Sequence, residues 1–330
     1  MGMIFLWKNG TLLGKGTKNI KSPRPCPFER FKSLDSQHCW QYEVRLQNRL
    51  VDLEVIGKDE EWAKSLSMSD FDFTYVPKED RESCRELASF IERHEFLGNI
   101  PNRPTHRFAA RLKKTGFLAG VIIMATPNAF SHLLGRENKN IIKLVARGAS
   151  ISWSPKNLGS WLLSRAMKWM IHNTEFRCFE AYSDPLAKEL GTIYQALNWT
   201  YLGQSSGSKL LYRDPNDASK KWFSDREFRK RSKYRKYAES IGISRAVWTE
   251  YMGKYSPQWD RIPAGIKAAV KHEESKYRES CESRVIPPKH KYCYIRGRTR
   301  KETKHLTRLF EDKNPTLVGL EYPKDRGSFS

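Results

Sequence analysis

The stretch KLVARGASISWSPKNLGSWLLSRAMKWM, Lys143 to Met170, decides the fold. Its opening lies within a strand candidate, Ile141 to Ala149, which ISWSPKNLGS (Ile151 to Ser160) breaks into a loop. From Leu158 to His172 the apolar residues Leu158, Trp161, Leu162, Ala166, Trp169 and Met170 then follow the 3.6-residue period of an amphipathic helix. A strand that opens through such a loop into a helix leaves backbone N–H groups, from about Asn157 through Leu158, Gly159 and Ser160 to Trp161, without intrahelical acceptors. Such groups can cradle a pyrophosphate, and Gly159 permits close approach. Ser, Pro and Asn before a helix are also ordinary capping chemistry, so both readings stay open.

Working outward, Cys84, Leu87, Phe90, Ile91 and His94 recur at helical spacing from Glu79, and Leu97-Gly98 stops that helix. His106 to Leu112 and Phe117 to Ala125 are extended runs joined by Lys113-Lys114-Thr115-Gly116, a hairpin signal. On the other side, Phe176 to Ser183 reads as strand, Ala187 to Leu197 as helix, and Trp199 to Gly203 and Lys209 to Arg213 as short strands. The order hairpin, strand, helix, strand, helix, strand predicts an α/β fold with a mixed sheet flanked by helices.

Asp184 follows one of those strands and Tyr194 lies on the next predicted helix, so a carboxylate and a phenol can converge at the carboxyl edge of the sheet. The carboxylate can accept a proton from an attacking amine, and the phenol can return one to a leaving thiolate. Equally, Asp184 can cap the following helix while Tyr194 packs in the core.

Composition narrows the partners. Among 330 residues, 59 Lys and Arg against 37 Asp and Glu give a net charge of +22, which predicts an anionic partner, most simply nucleic acid. The longest apolar run, Phe117 to Ala125, is about half of the roughly 20 residues a membrane helix needs, and the start MGMIFLWKNG has no signal-peptide pattern. A cytoplasmic protein with no membrane partner is expected. The six cysteines lack any C-x-x-C pair and read as reduced thiols.

Charge concentrates late in the chain. From Lys220 to Lys236, nine of seventeen residues are Lys or Arg, and residues 220 to 310 carry +15 of the excess. Such a run neutralises phosphates without regard to sequence, or is a solvated linker; interleaved Trp222, Phe223, Tyr234 and Tyr237 favour contact. AESIGISRAVWTEY has the Ala, turn Gly and post-turn Ser of a helix-turn-helix, with Arg245 and Thr249 on its second helix. The cations taken as DNA contacts are Arg229, Lys230, Arg231, Lys233, Arg235, Lys236 and Arg245, with Arg298, Arg300 and Lys301 on a later basic helix.

The run Lys143 to Met170, then EAYSDP (Glu180 to Pro185), then LGTIYQALNWTYLGQS (Leu190 to Ser205), resembles the phage Mom DNA-modification family. PPKHKYCYIRGRTRKETKHL and the late EYPK are similar to that family's closing strand and basic helix, so the likeness runs from about Leu87 to Pro323 apart from a central stretch. It implies a GNAT-like fold that binds an acetyl-CoA or related CoA thioester and modifies the exocyclic amine of adenine in double-stranded DNA, by carbamoylmethylation or a related acyl-type transfer. Asp184 and Tyr194 then match the family's essential Asp and Tyr, Ser160 a small polar patch at the helix start, and His94 a His ending the first helix. The residues after His94 are Glu95-Phe96 where the family has an aromatic at once. Carbamoylmethylation joins a methylene carbon to nitrogen and so needs activation beyond acetyl transfer, which a metal on His94 and His106 can supply.

The expected organisation is an N-terminal extension of unassigned role over residues 1–75, a GNAT-like catalytic domain over 76–214 and a basic, mainly helical DNA-binding extension over 215–330. The alternatives are an ordinary GNAT N-acyltransferase acting on a small amine or protein, and a DNA-binding protein whose acyltransferase-like domain is inert. Composition leaves the oligomeric state open.

Overall fold

The computed structural model describes residues 6–8, 11–13, 38–101, 103–127, 132–204, 209–217, 222–254 and 256–324. Two three-residue strands, β1 (Leu6–Lys8) and β2 (Thr11–Leu13), pair antiparallel. The chain then divides into two compact units, one of residues 1–205 with 289–330 and one of residues 206–288. It leaves the first unit once, builds the second, and returns.

The first unit is a seven-stranded mixed sheet flanked by helices. Helices α1 (Trp40–Val55) and α2 (Glu60–Ser65) lead into β3 (Phe71–Val76) and α3 (Arg81–His94). The predicted hairpin is β4 (Pro104–Leu112) with β5 (Leu118–Ala125), turned at Gly116 with φ +73°. Strand β6 (Ile142–Ser150) and helix α4 (Leu158–Asn173) follow, then β7 (Cys178–Ser183), a short α5 (Thr192–Gln195) and β8 (Thr200–Gln204). After the second unit come β12 (His290–Ile295) and the basic helix α9 (Arg300–Lys313).

The strand order is β3-β4-β5-β6-β7-β12-β8, antiparallel throughout except for β6 beside β7. The apolar stripe of α4 drives its packing, with Leu158, Leu162, Leu163, Ala166, Met167, Met170 and Ile171 all buried. They join Val121, Ile123 and Phe179 of the sheet in the main core, whereas Cys178, Cys293, Leu306 and Phe310 form a smaller core with α9. The five described cysteines are free.

One predicted element is different. Instead of a helix from Ala187 to Leu197, the chain makes one 3-10 turn at Pro185–Ala187 and the four-residue α5. Lys188 and Gly191 adopt left-handed backbone at φ 52° and 70°, which stops a helix twice. Gly191 is required sterically as well, because a Cβ there would stand 2.5 Å from Cε2 of Tyr292.

In the second unit, β9 (Lys209–Arg213) pairs with β10 (Phe223–Ser224) and β11 (Glu282–Ile286) in a separate three-stranded sheet. Between β10 and β11 lie α6 (Arg231–Ser240), α7 (Arg245–Glu250) and the long α8 (Ala264–Ser280). Tyr234, Tyr237, Ala238, Trp248, Ile262 and Val270 make its core. Half the aromatics that the sequence places among the cations are therefore structural: Tyr234 and Tyr237 are buried, whereas Trp222 and Phe223 are partly exposed. Lys220 and Lys221, which open the basic run, fall outside the described residues.

Candidate active site

Strands β6 and β7 run side by side for four pairs, Ile142 with Cys178 through Val145 with Ala181, and then separate. The cause is local. Val145 pairs with Met124 and Arg147 with Ile123, so Ala146 is an extra residue, a bulge that bends β6 away. From there β6 stays with β5 to Ser150 while β7 continues beside β12. A cavity of about 420 Å³ fills the gap.

Its walls come from several elements of the first unit. Val145 to Ser150 supply backbone and small side chains of β6; Lys156, Asn157, Gly159, Ser160 and Leu163 come from the loop and the start of α4. Tyr182 and Ser183 end β7, Glu189 to Tyr194 form the turn and α5, and Glu95 follows α3. Cys39, Gln41, Tyr42 and Arg45 come from the start of α1.

At the α4 end, Asn157 is the N-cap and makes no side-chain capping bond. Its carbonyl accepts from the Trp161 N–H at 2.9 Å and from the Ser160 hydroxyl at 3.0 Å. Leu158 is buried beneath, and Gly159 is packed so that a Cβ would meet Ile193 at 3.3 Å and the Ser150 hydroxyl at 3.4 Å. The first-turn N–H groups of Gly159 and Ser160 lack intrahelical acceptors by helix geometry, and they face a hollow that also holds Lys156 and Arg45.

The loop before α4 is held by α1. Arg45 donates to the carbonyl of Ser154 at 2.7 Å, and Arg49 to that of Ser152 at 2.8 Å. Asp52, completely buried, accepts from the Ser152 hydroxyl at 2.6 Å and pairs with Arg93 of α3. Residues 40–55, for which the sequence offered no role, thus fix the loop that opens the cavity.

The two residues singled out in the sequence have different surroundings. Tyr194 lines the cavity, with its ring 5.0 Å from Trp199 and 5.2 Å from Tyr292 between centroids. Burial, then the neighbouring Glu189 and Glu95 carboxyls, raise its phenol pKa, so it stays protonated. Asp184 sits just behind the wall. Its carboxylate accepts from the Leu186 N–H at 3.1 Å, capping the 3-10 turn, and is 2.7 Å from Nζ of Lys289.

The carboxyl that does line the cavity is Glu189, which nothing in the sequence flagged. Its Oε2 accepts weakly from the Asp184 N–H at 3.4 Å. Burial, Glu95 and Asp184 together push its pKa up to about 8. Glu95 also faces the cavity, accepting from the Gly98 N–H at 2.7 Å and lying 3.7 Å from Arg147. The signal that could have found Glu189 is its place in KELG, between a capped turn and a left-handed glycine, but its approach to Glu95 depends on the fold.

His94 ends α3 in the protein interior, its ring tilted against Phe90 at 4.5 Å, and burial drives its pKa well below the usual imidazole value. His106 lies on β4 among Tyr75, Trp169 and Phe176, with burial first and Lys143 second lowering it to about 4. The expected metal pair is therefore corrected. The two rings have separate neighbourhoods, and among the described residues no group of three or more His, Cys, Asp or Glu side chains is arranged to hold a metal ion. Arg298 is likewise engaged in structure, donating to the Ile171 and Thr174 carbonyls at 3.1 Å each.

The mixed sheet, the bulged strand parting from its parallel neighbour and the helix N-terminus at the opening define a GNAT-like α/β fold. The profile of the Mom protein family matches residues 83–255, and this chain belongs to that family. No curated protein sequence matches it. Similar solved structures include the IAA acetyltransferase of Bacillus cereus, 11% identical over 68% of this chain and 99% of its own, with TM-score 0.32. An acetyltransferase of the GNAT family from Streptococcus pneumoniae is 13% identical over 46% and 94%, TM-score 0.31. The yncA protein of Salmonella typhimurium, solved with acetyl-CoA, is 10% identical over 46% and 88%, TM-score 0.30. Family membership and fold class together support a Mom-like transfer or modification role. Among the described residues, no helix is long and apolar enough to cross a membrane.

Proposed function

We propose that this protein transfers an acyl-type group from a CoA thioester to the exocyclic amine of adenine in double-stranded DNA. The observation that carries the reading is the cavity between the parted strands, whose lining combines the start of α4 with Tyr194 and Glu189. The donor's pyrophosphate is held by the N–H groups of Gly159 and Ser160 at the start of α4, helped by Lys156 and Arg45, whereas the Leu158 and Trp161 N–H groups are already taken by the Pro155 and Asn157 carbonyls.

With a thioester donor, the amine nitrogen attacks the carbonyl carbon, the N–C bond forms and the C–S bond breaks. Glu189, ionised, takes the proton that nitrogen sheds. Tyr194, still protonated, donates a hydrogen bond to the departing thiolate. Asp184 acts by holding the turn that carries Glu189, through its cap on Leu186 and its pair with Lys289. An adenine inside a duplex is out of reach of any such pocket, so the base is flipped, at a cost of about a few kcal/mol that phosphate contacts offset. The +15 excess between residues 220 and 310 supplies those contacts.

The test is mass spectrometry of nucleosides digested from the DNA of expressing cells. A new adenine derivative that disappears in Tyr194→Phe and Glu189→Gln is expected. Only the four ordinary nucleosides, from a protein that binds acetyl-CoA by calorimetry and acetylates small amines, would replace this reading with the ordinary N-acyltransferase.

A further inference from the structure

In the second unit, α6 and α7 meet at a turn of four residues, Ile241 to Ser244. Gly242 makes it, at φ +84° with open space around its Cα, and the Gly242 and Ile243 N–H groups close α6 on the Glu239 and Ala238 carbonyls at 3.1 and 2.9 Å. Ser244 then caps α7 by accepting from the Val247 N–H. Ala238, Ile241, Ile243 and Trp248 turn inward onto Val270 and Ile266 of α8, so the pair is a helix-turn-helix braced by a third helix.

The outward side is different in kind. Arg245, Ala246, Val247, Thr249 and Glu250 of α7 are all exposed, Val247 at 40%. Between the starts of α6 and α7 lies a cleft of about 610 Å³ lined by Lys230, Arg231, Ser232 and Arg235 on one side and by Arg245, Trp248, Thr249 and Met252 on the other. Four cations and no carboxylate line it. Lys230 and Arg235 have Glu227 and Glu239 as neighbours, at 2.6 and 3.7 Å, whereas no ion pair is found for Arg231 or Arg245 among the described residues. The indole N–H of Trp248, on a side chain 1% exposed, has no acceptor among those residues either.

We infer that this cleft seats a backbone phosphate of duplex DNA and that α7 enters the major groove beside it, presenting Arg245 and Thr249 to base edges. A helix-turn-helix uses the start of its first helix on the backbone and the start of its second in the groove, which is the division these side chains make. The choice of DNA as the polyanion rests on the function proposed above. The groove-reading role goes beyond it, because it makes this unit a selector of sequence and not only a source of charge.

Fluorescence anisotropy with the full-length protein and a labelled duplex of about 30 base pairs, over a salt series and without donor, tests the docking. Arg231→Ala and Arg245→Ala are each expected to weaken binding about 5- to 10-fold, with the salt slope lowered by roughly one ion in Arg231→Ala, the phosphate contact. Lys267→Ala, an exposed cation of α8 outside the cleft, is the comparison and is expected to change affinity less than 2-fold. Equal losses at all three positions, or tighter binding to single strands, RNA or anionic vesicles than to duplex, would overturn the inference. Sequencing the modified sites should show altered context in Thr249→Ala and unaltered context in Lys267→Ala; the same context in both overturns the groove-reading role. A protein that docks through the cleft yet yields no modified nucleoside removes the proposed transfer and leaves the docking. A protein that modifies adenine with no dependence on the cleft does the reverse.

Discussion

Lys289, the residue before β12, places its ammonium 2.7 Å from the Asp184 carboxylate at the end of β7. One ion pair therefore ties the last strand to enter the sheet to the turn that carries Glu189. Removing the cation with Lys289→Met leaves a largely buried carboxylate short of its partner. We expect a loss of about 1–3 kcal/mol in denaturant unfolding, as for hydrogen bonds to charged groups, and a fall in kcat larger than any change in donor affinity. Asp184→Asn with Lys289→Met should recover part of the stability, since the uncompensated charge is gone.

Glu189 sets a pH dependence. Burial, Glu95 and Asp184 raise it to about 8 in the folded protein, against an ordinary carboxyl near 4.3. As a base it works only when ionised, so kcat/KM should climb with pH up to and through about 8. The sign for stability is opposite. The folded state holds this proton and the unfolded state does not, so stability is greatest below the ordinary carboxyl value and falls as pH rises towards 8. Glu180, buried on β7 and raised to about 7, adds to the same fall. Thermal midpoints of Glu180→Gln and Glu189→Gln between pH 5 and 8 should be flatter than wild type; unchanged slopes would remove both groups from the account.

Two glycines separate folding from binding. Gly191→Ala forces a side chain into left-handed backbone and to 2.5 Å from Tyr292, and should cost about 2–5 kcal/mol. Gly159→Val meets Ile193 and Ser150 at the cavity wall. Its larger effect should be on acetyl-CoA affinity by calorimetry, at least 10-fold, with the unfolding midpoint moved far less.

Arg45 tests the contribution of the N-terminal helix. It donates to Ser154 and lines the cavity, so Arg45→Ala loosens the loop and removes a cation from the donor end. We expect weaker acetyl-CoA binding with little change in DNA affinity. Asp52→Ala, which strands Arg93 and the Ser152 hydroxyl inside, should instead lower stability by about 3–5 kcal/mol.

The limits of local pattern are clearest between Asp184 and Tyr194. Strand β7 was legible from its extended apolar run, and α4 from a stripe at the helical period. The segment between them was not, because apolar spacing there suggests one continuous helix while Lys188 and Gly191 reverse the backbone sign twice. Asp184 was singled out for its position after a strand, but only its surroundings reveal that its carboxylate is already engaged by Leu186 and Lys289. His94 is a similar case: an imidazole at the end of an amphipathic stripe looks available until Leu87, Phe90, Ile91 and the ring itself are found buried.

By itself the sequence determined the local alphabet: the β4–β5 hairpin, β6 opening into α4, the net charge of +22, and the Gly242 turn between α6 and α7. Those features follow from periodicity, turn chemistry and ionisation, which neighbours within a few residues suffice to specify. Only the tertiary structure decided that β12, more than 80 residues beyond β8 in the chain, inserts between β7 and β8. It alone decided that α1 clamps the loop before α4, and that Glu189 and Glu95 come to share one cavity. Strand order and the meeting of distant side chains are set by which apolar faces bury one another best, a sum over the whole chain that no single stretch contains.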